Sequence, residues 1–197
     1  MKHPAILSLI SCGLAASAAA IDLTPQIVNL AVGDYTVRRA CFTDGDKKYA
    51  VTVDSETELT GSGGVAIFNF SKIPRAVMRL AQSPLKPGIT FEGETLERYR
   101  ATAAALLLQG AEQPVLEKED ADVLPVNQWT SRRFTFVYSF LGAPMRESVT
   151  FLNLDGKQQI VMQTRARQAD FALISARGDD IIRRWHDFRP EEASEGN

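Results

Sequence analysis

The amino-acid sequence predicts an α+β fold, a three-layer α/β/α sandwich around a mainly antiparallel sheet, and three observations carry that expectation. The first is a helix over 170–188. In it Phe171, Ile174, Gly178, Ile181, Trp185 and Phe188 recur at spacings of 3, 4, 3, 4 and 3, one apolar stripe that needs a surface to cover. The second is the set of strand-like runs leading into it, over 132–141, 145–154 and 157–166. The third is that the last two runs are apolar on both faces: Val149 and Phe151 oppose Leu152 and Leu154, and Ile160 and Met162 oppose Val161. A sheet with one wet face alternates apolar and polar residues. Here both faces need cover, and two long helices and a short one are available to supply it.

In chain order, 21–34 reads as a mixed lead-in with Pro25 and a short edge strand. The runs 35–42 and 48–53 are β-rich and joined by Thr43-Asp44-Gly45-Asp46-Lys47, a hairpin signal because Asp-Gly accepts the turn conformation. Residues 56–64 read as a loop, 65–70 as a third strand, and 74–82 as a short helix with Pro74 in its first turn. A connector over 84–93 leads to a helix over 94–109. Leu96, Tyr99, Ala103, Leu106 and Leu107 form its apolar face, and Gly110 sits where helices end. An acidic strand over 115–123 and a loop over 124–130 precede the three strands already named. Asp155-Gly156 is expected to close a two-residue turn between the last two of them. The acidic tail 189–197 is expected to be disordered.

Residues 1–20 have the form of a secretory signal peptide: Lys2 and His3 as a polar head, an apolar run over 5–16, and Ala18-Ala19-Ala20 as an A-x-A cleavage site. The apolar run is shorter than the ~20 residues a membrane-spanning helix needs, so the chain is not expected to span a membrane. Leu9-Ile10-Ser11-Cys12 resembles a lipobox, and lipidation at Cys12 is the alternative; the apolar run continues past it to Ile21, which favours cleavage near Ala20. The expected protein is secreted or periplasmic, one domain over 21–188. With 22 basic and 24 acidic residues, a formal net charge of −2, nothing suggests nucleic acid as a partner. Cys41 is the one cysteine left after processing, so the fold rests on packing and not on an internal disulfide. Such a cysteine is most often a small buried hydrophobe.

The order helix, acidic strand, three-strand meander and final helix resembles the PsbP-like family. Thr95-Leu96-Glu97-Arg98-Tyr99, Arg133-Phe134-Thr135-Phe136-Val137-Tyr138, Ile160-Val161-Met162-Gln163-Thr164 and Ile181-Ile182-Arg183-Arg184-Trp185 carry the resemblance. It implies an α/β/α sandwich shared with a Ran-binding nuclear transport factor and with bacterial secreted proteins of unknown function. Relatives often end on Ser-Phe where this chain has Arg184-Trp185. The members act as binding and assembly factors with unrelated partners, so no shared site carries over.

The sequence carries no catalytic signature. His186 stands alone beside Trp185, suited to a contact at a helix end. There is no paired Cys/His spacing for a transition metal, and no cofactor is implied. Gly61-Ser62-Gly63-Gly64 lacks the Lys-Ser/Thr of a phosphate loop and reads as a flexible loop. Glu117, Glu119, Asp120 and Asp122 depart from the calcium-loop spacing and read as a solvated sheet edge. Asp179 with Arg183 and Asp180 with Arg184 read as exposed i,i+4 pairs. One candidate site follows from register. If Asp155-Gly156 is a two-residue turn, Arg146 faces Arg165, with Arg167 just beyond. Like charges facing each other on a sheet are unfavourable, so either nearby Glu147 or Asp170 offsets them or the three arginines form a corner for an anionic partner. The expected function is thus a non-enzymatic binding or accessory protein for an unidentified protein or small anionic ligand. The alternatives are a small envelope hydrolase and a lipidated envelope-assembly factor.

The leader makes a direct prediction. Mass analysis of the protein from its native cells should find a mature chain beginning near Ile21; a diacylated Cys12 or an intact Met1 would contradict it.

Overall fold

The computed structural model describes residues 21–85, 91–124, 127, 129–154 and 158–188; residues 1–20, expected as a leader, and 189–197, expected as a disordered tail, lie outside the described residues. Strands β1 (Asp22–Val32), β2 (Tyr35–Asp44) and β3 (Lys47–Val53) join a two-residue strand from the far end of the chain, β11 (His186–Asp187), in one sheet ordered β1-β2-β3-β11. The second sheet takes β4 (Thr57–Ser62), β5 (Val65–Phe70), β6 (Val77–Gln82), β7 (Glu112–Ala121), β8 (Thr130–Phe140), β9 (Ala143–Asn153) and β10 (Gln159–Arg167). Its order is β4-β5-β6-β10-β9-β8-β7. Every described strand pairing is antiparallel. Two helices complete the fold, α1 (Gly93–Ala105) and α2 (Phe171–Arg183).

The three-layer α/β/α sandwich does not form. Among the described residues there are eleven strands in two sheets and only these two helices. Both faces of the central strands are covered, as their apolar pattern requires, but one cover is largely a sheet. On one face Tyr99 and Ala103 of α1 pack on Phe134, Val149, Phe151 and Val161. On the other, the four-stranded sheet and α2 share a core in which Phe42, Val51, Phe68, Met78, Leu152, Ile160 and Trp185 meet.

Three stretches account for the difference. The lead-in is strand almost throughout, because Val32 pairs with Tyr35 across Gly33-Asp34 and makes 21–44 a long hairpin. The segment expected as a short helix is strand β6, held between β5 and β10 with Met78 and Leu80 buried on one face. Cross-strand partners on both sides outweigh its modest helix propensity. The expected loop 56–64 likewise contains β4, which returns into β5 through Gly63 and Gly64 at φ +59° and +77°. A two-residue turn of this kind needs two left-handed residues, which glycine supplies without steric cost.

Helix α2 lays the expected stripe onto the sheet, with Phe171, Ile174, Gly178 and Ile181 buried. It ends at Arg183, earlier than expected. Trp185 then stacks on Phe42 with centroids 5.4 Å apart and meets Trp129 edge-on at 5.8 Å, and β11 pairs with β3. Asp180 and Arg184 pair at 2.6 Å as expected. Asp179 does not reach Arg183. It is buried, and its two oxygens accept from the Arg133 guanidinium at 2.6 and 3.1 Å, while Arg133 Nε donates to Thr150 at 2.9 Å. Gly178 lets the helix come this close: a Cβ there would sit 3.1 Å from Met78 Sδ and 3.3 Å from Thr164 Oγ1.

Two substitutions test this interface by chemical denaturation. Gly178→Leu should cost roughly 1–3 kcal/mol through overpacking. Asp179→Ala should cost roughly 3–5 kcal/mol, because it leaves the Arg133 charge buried and unpaired. A Gly178→Leu protein as stable as the wild type would show that α2 does not approach the sheet at this point.

Candidate functional site

Side chains alternate along β10, so Ile160, Met162, Thr164 and Ala166 face α2 while Gln159, Val161, Gln163 and Arg165 face the α1 side. Helix α1 runs along that second face. Gln159 Nε2 donates to Tyr99 Oη at 2.6 Å near one end, and Gln163 Nε2 donates to the carbonyl of Leu106 at 2.6 Å where the helix stops. Beyond Leu106 no described helix covers the sheet, and a cleft of about 650 Å³ opens there. Arg79 of β6, Gln163 and Arg165 of β10 and Glu147 of β9 form its floor; Ile67, Ile73, Leu108, Phe140, Leu141 and Met145 contribute apolar wall.

The floor is a connected polar network. Glu147 is 1% exposed. Its Oε2 accepts from the Tyr138 hydroxyl at 2.7 Å and from the Leu108 N–H at 3.3 Å, and its Oε1 accepts from Gln163 Nε2 at 3.5 Å. Arg79 Nη1 donates to Gln163 Oε1 at 2.6 Å. Arg165 lies directly across the strand pair from Glu147 and acts electrostatically on both Glu147 and Tyr138. Burial pushes the Glu147 carboxyl up from its ordinary 4.5, while the Tyr138 hydroxyl, the Arg165 guanidinium, the Leu108 N–H and the Gln163 amide pull it back. Burial, with Glu147 alongside, pushes the Tyr138 phenol up as well. Among the described residues no carboxylate lies within ion-pairing distance of Arg79 or Arg165. Arg75 adds a third positive charge at the rim, its guanidinium 6.0 Å from the centre of the Phe140 ring.

The three arginines that the sequence groups as a candidate site are not brought together. Leu154 N–H donates to the Gln158 carbonyl and Asn153 pairs with Gln159, so three residues, 155–157, separate the strands. The Asp155-Gly156 turn lies outside the described residues. The longer connection shifts the register by one. Arg165 then faces Glu147, and Arg146 faces Ala166. Such a slip also exchanges faces. Arg146 lies on the α2 side, 5.7 Å from the Phe171 ring centre and 2.7 Å from Glu117. Arg165 is in the cleft, and Arg167 is exposed at the end of β10, outside the cleft lining. The acidic strand β7 is a sheet edge whose carboxylates meet arginines: Glu117 with Arg146, and Glu119 with Arg100 and Arg132, each at 2.7 Å. Among the described residues no group of three or more His, Cys, Asp or Glu side chains is placed to hold a metal. Cys41 is buried, and His186 Nδ1 lies 2.9 Å from the carbonyl of Arg184 at the helix end.

Arg79 and Glu147 are site residues that sequence reasoning misses. Arg79 falls in the expected short helix, and Glu147 enters only as a neighbour of Arg146. Arg79 carries a signal all the same, a charge set inside the apolar run Val77–Ala81, where a charge must find partners or serve a site; Glu147, between Arg146 and Ser148, carries no such signal.

No family model matches the sequence, and no curated protein matches it. The chain is similar in structure to a cyanobacterial PsbP, CyanoP from Synechocystis sp. PCC 6803, at 15% identity and a TM-score of 0.47 over 91% of this chain and 99% of that one. It is also similar to PA94 of Pseudomonas aeruginosa, a protein of unknown function, at 9% identity and a TM-score of 0.43 over 84% of this chain and 99% of that one. These are loose likenesses of shape and do not bear on the cleft. Among the described residues no helix is long and apolar enough to cross a membrane.

Glu147 predicts a pH dependence. Its folded pKa is raised, so the native state holds the proton more tightly than the unfolded chain does. Its contribution to stability is fully present below the unfolded value of 4.5 and is lost as pH rises through the folded pKa. Relative to Glu147→Gln, the wild type should lose melting temperature as pH rises from 4 towards neutrality. The loss amounts to about 1.4 kcal/mol for each factor of ten by which folding tightens proton binding. A gap independent of pH would contradict the raised pKa.

Proposed function

We propose that the protein is an exported, non-enzymatic binding protein that accepts an acidic ligand in the cleft beyond the end of α1. One observation carries this reading. Arg79 and Arg165 lie on a concave, apolar-walled surface without a described carboxylate in ion-pairing distance, in a chain whose formal net charge is −2. Arginine's planar fork suits carboxylate and phosphate groups, and a concave site strengthens the attraction. Export is supported by the leader sequence at 1–20 and by the burial of Ile21 and Leu23 directly after it.

The cleft argues against the hydrolase alternative. Among the described residues Glu147 is the sole carboxylate in its lining, which contains no histidine or cysteine, and both Glu147 oxygens are engaged by fixed donors. General acid–base chemistry would need a second titratable group within reach of the substrate. Glu147 is better placed to fix Tyr138 and Gln163 than to move a proton.

The test compares wild type with Arg79→Gln/Arg165→Gln, both purified from native cells at low salt and weighed by native mass spectrometry. An acidic companion on the wild type should be absent from the variant and released by added salt, while the melting temperature holds or rises. Equal retention by both proteins would place the binding elsewhere.

A further inference from the structure

Given the reading of the cleft as an acidic-ligand site, the charges on its floor say which headgroup it selects. On the floor Arg79 and Arg165 bring two positive charges and Glu147, when ionised, one negative charge, while Arg75 stands at the rim beside Phe140. Glu147 cannot swing away, since it is 1% exposed and held by Tyr138, the Leu108 N–H and Gln163. Gln163 is itself anchored to the carboxyl end of α1 through the Leu106 carbonyl, and a helix end of this polarity carries further partial negative charge. The floor therefore offers about one net positive charge. One ligand charge neutralises it; a second on the same headgroup would face Glu147 across low-dielectric surroundings with no further cation on the floor, Arg75 being at the rim.

Most of the remaining lining is apolar, Asn69, Ser71 and Arg75 apart. Ile67, Ile73, Leu108 and Met145 line it, and Leu141, 73% exposed, stands at its mouth. Its volume of about 650 Å³ far exceeds that of a carboxylate and falls within the 300–1,000 Å³ typical of small-molecule sites. We propose that the cleft binds a small monoanionic amphiphile, a carboxylate on an apolar chain or ring, and that Glu147 is a positioning residue that turns away dianionic headgroups.

The experiment is isothermal titration calorimetry of the mature chain at pH 8 and fixed ionic strength, with decanoate, decyl phosphate and decanol as probes below their aggregation concentrations. Decanoate should bind about tenfold or more tighter than either other probe, a difference of about 1.4 kcal/mol or more. Arg165→Gln should abolish that advantage over decanol, and Glu147→Gln should erase or reverse the preference over decyl phosphate. Decyl phosphate binding as tightly as decanoate to the wild type, with both lost in Arg165→Gln, would overturn the selectivity and leave the acidic-ligand site standing. Decanol binding as well as decanoate, or no binding by either anion, would overturn both. If Glu147→Gln does not fold, the ranking of the three probes on the wild type still decides, because it compares ligands on one protein.

Discussion

Strands β9 and β10 must be covered on both faces, and α1 is too short to cover the whole of one of them. The rest of the architecture follows from that mismatch. Every residue of β10 from Gln159 to Thr164 is buried, so the strand sits at the centre of the fold with apolar side chains on both faces. Leaving such a surface wet would forfeit about 25 cal/mol for each Å² of apolar area. Helix α1 covers one face from Gln159 to Gln163 and ends, its last free carbonyls partly satisfied by the Gln163 amide. Past this point the strands change character: Val161 and Val149 give way to Arg165 and Glu147. The cleft is the part of the sheet the helix does not reach, and its polar floor is what an uncovered surface permits.

The opposite face is closed by parts from both ends of the chain. Arg133 and Asp179 fix α2 along its axis with a bidentate pair, and Thr150 takes the remaining Nε donor. A buried pair of this kind is weak evidence for stability, since desolvation offsets much of the Coulomb gain. It is better understood as setting position: only one placement of α2 satisfies both partners and brings Gly178 against Met78 and Thr164. From there Trp185 reaches Phe42, Tyr49 and Trp129, and β11 adds to the edge of β3. The C-terminal segment thereby joins the two sheets through one aromatic cluster.

The sequence is legible where a local signal and a tertiary demand agree. The α2 stripe, the close approach at Gly178, the need for cover on both faces of β9 and β10, and the hairpin between β2 and β3 are all written in spacing or turn chemistry. It is illegible where the deciding partner is distant. β6 has the composition of a short helix and becomes a strand because β5 and β10 lie on either side of it. Strands β1 and β4 are hidden behind two turns, Gly33-Asp34 and Gly63-Gly64, the latter slack in composition and a tight hairpin in the fold. The candidate site is half legible. Arg165 stands out in the sequence, but a count of two residues instead of three in one connection sets it against Arg146, when its partners are Glu147 across the strand and Arg79 beside Gln163. An error of one residue in register is an error of one face, so the companions change while the residue stays.

Backbone geometry around the cleft points the same way as its charges. Arg75 and Leu141 both line it, and both are held at positive φ, +65° and +50°. A left-handed conformation costs a residue with a Cβ about 1–2 kcal/mol relative to its right-handed alternatives. Leu141 and Gly142 form the turn between β8 and β9, where glycine or asparagine would carry the first position at lower cost. The leucine recovers little by packing, for it is 73% exposed. Covering such a side chain is worth roughly 1.5–3 kcal/mol when complete, a gain the isolated chain largely forgoes and a ligand with an apolar body would realise. Strain of this kind is tolerated where the surrounding structure fixes it, and it gathers at sites that bind. An arginine and a leucine strained at one cleft, above a floor with one net positive charge, are together the features an amphiphilic anion would use.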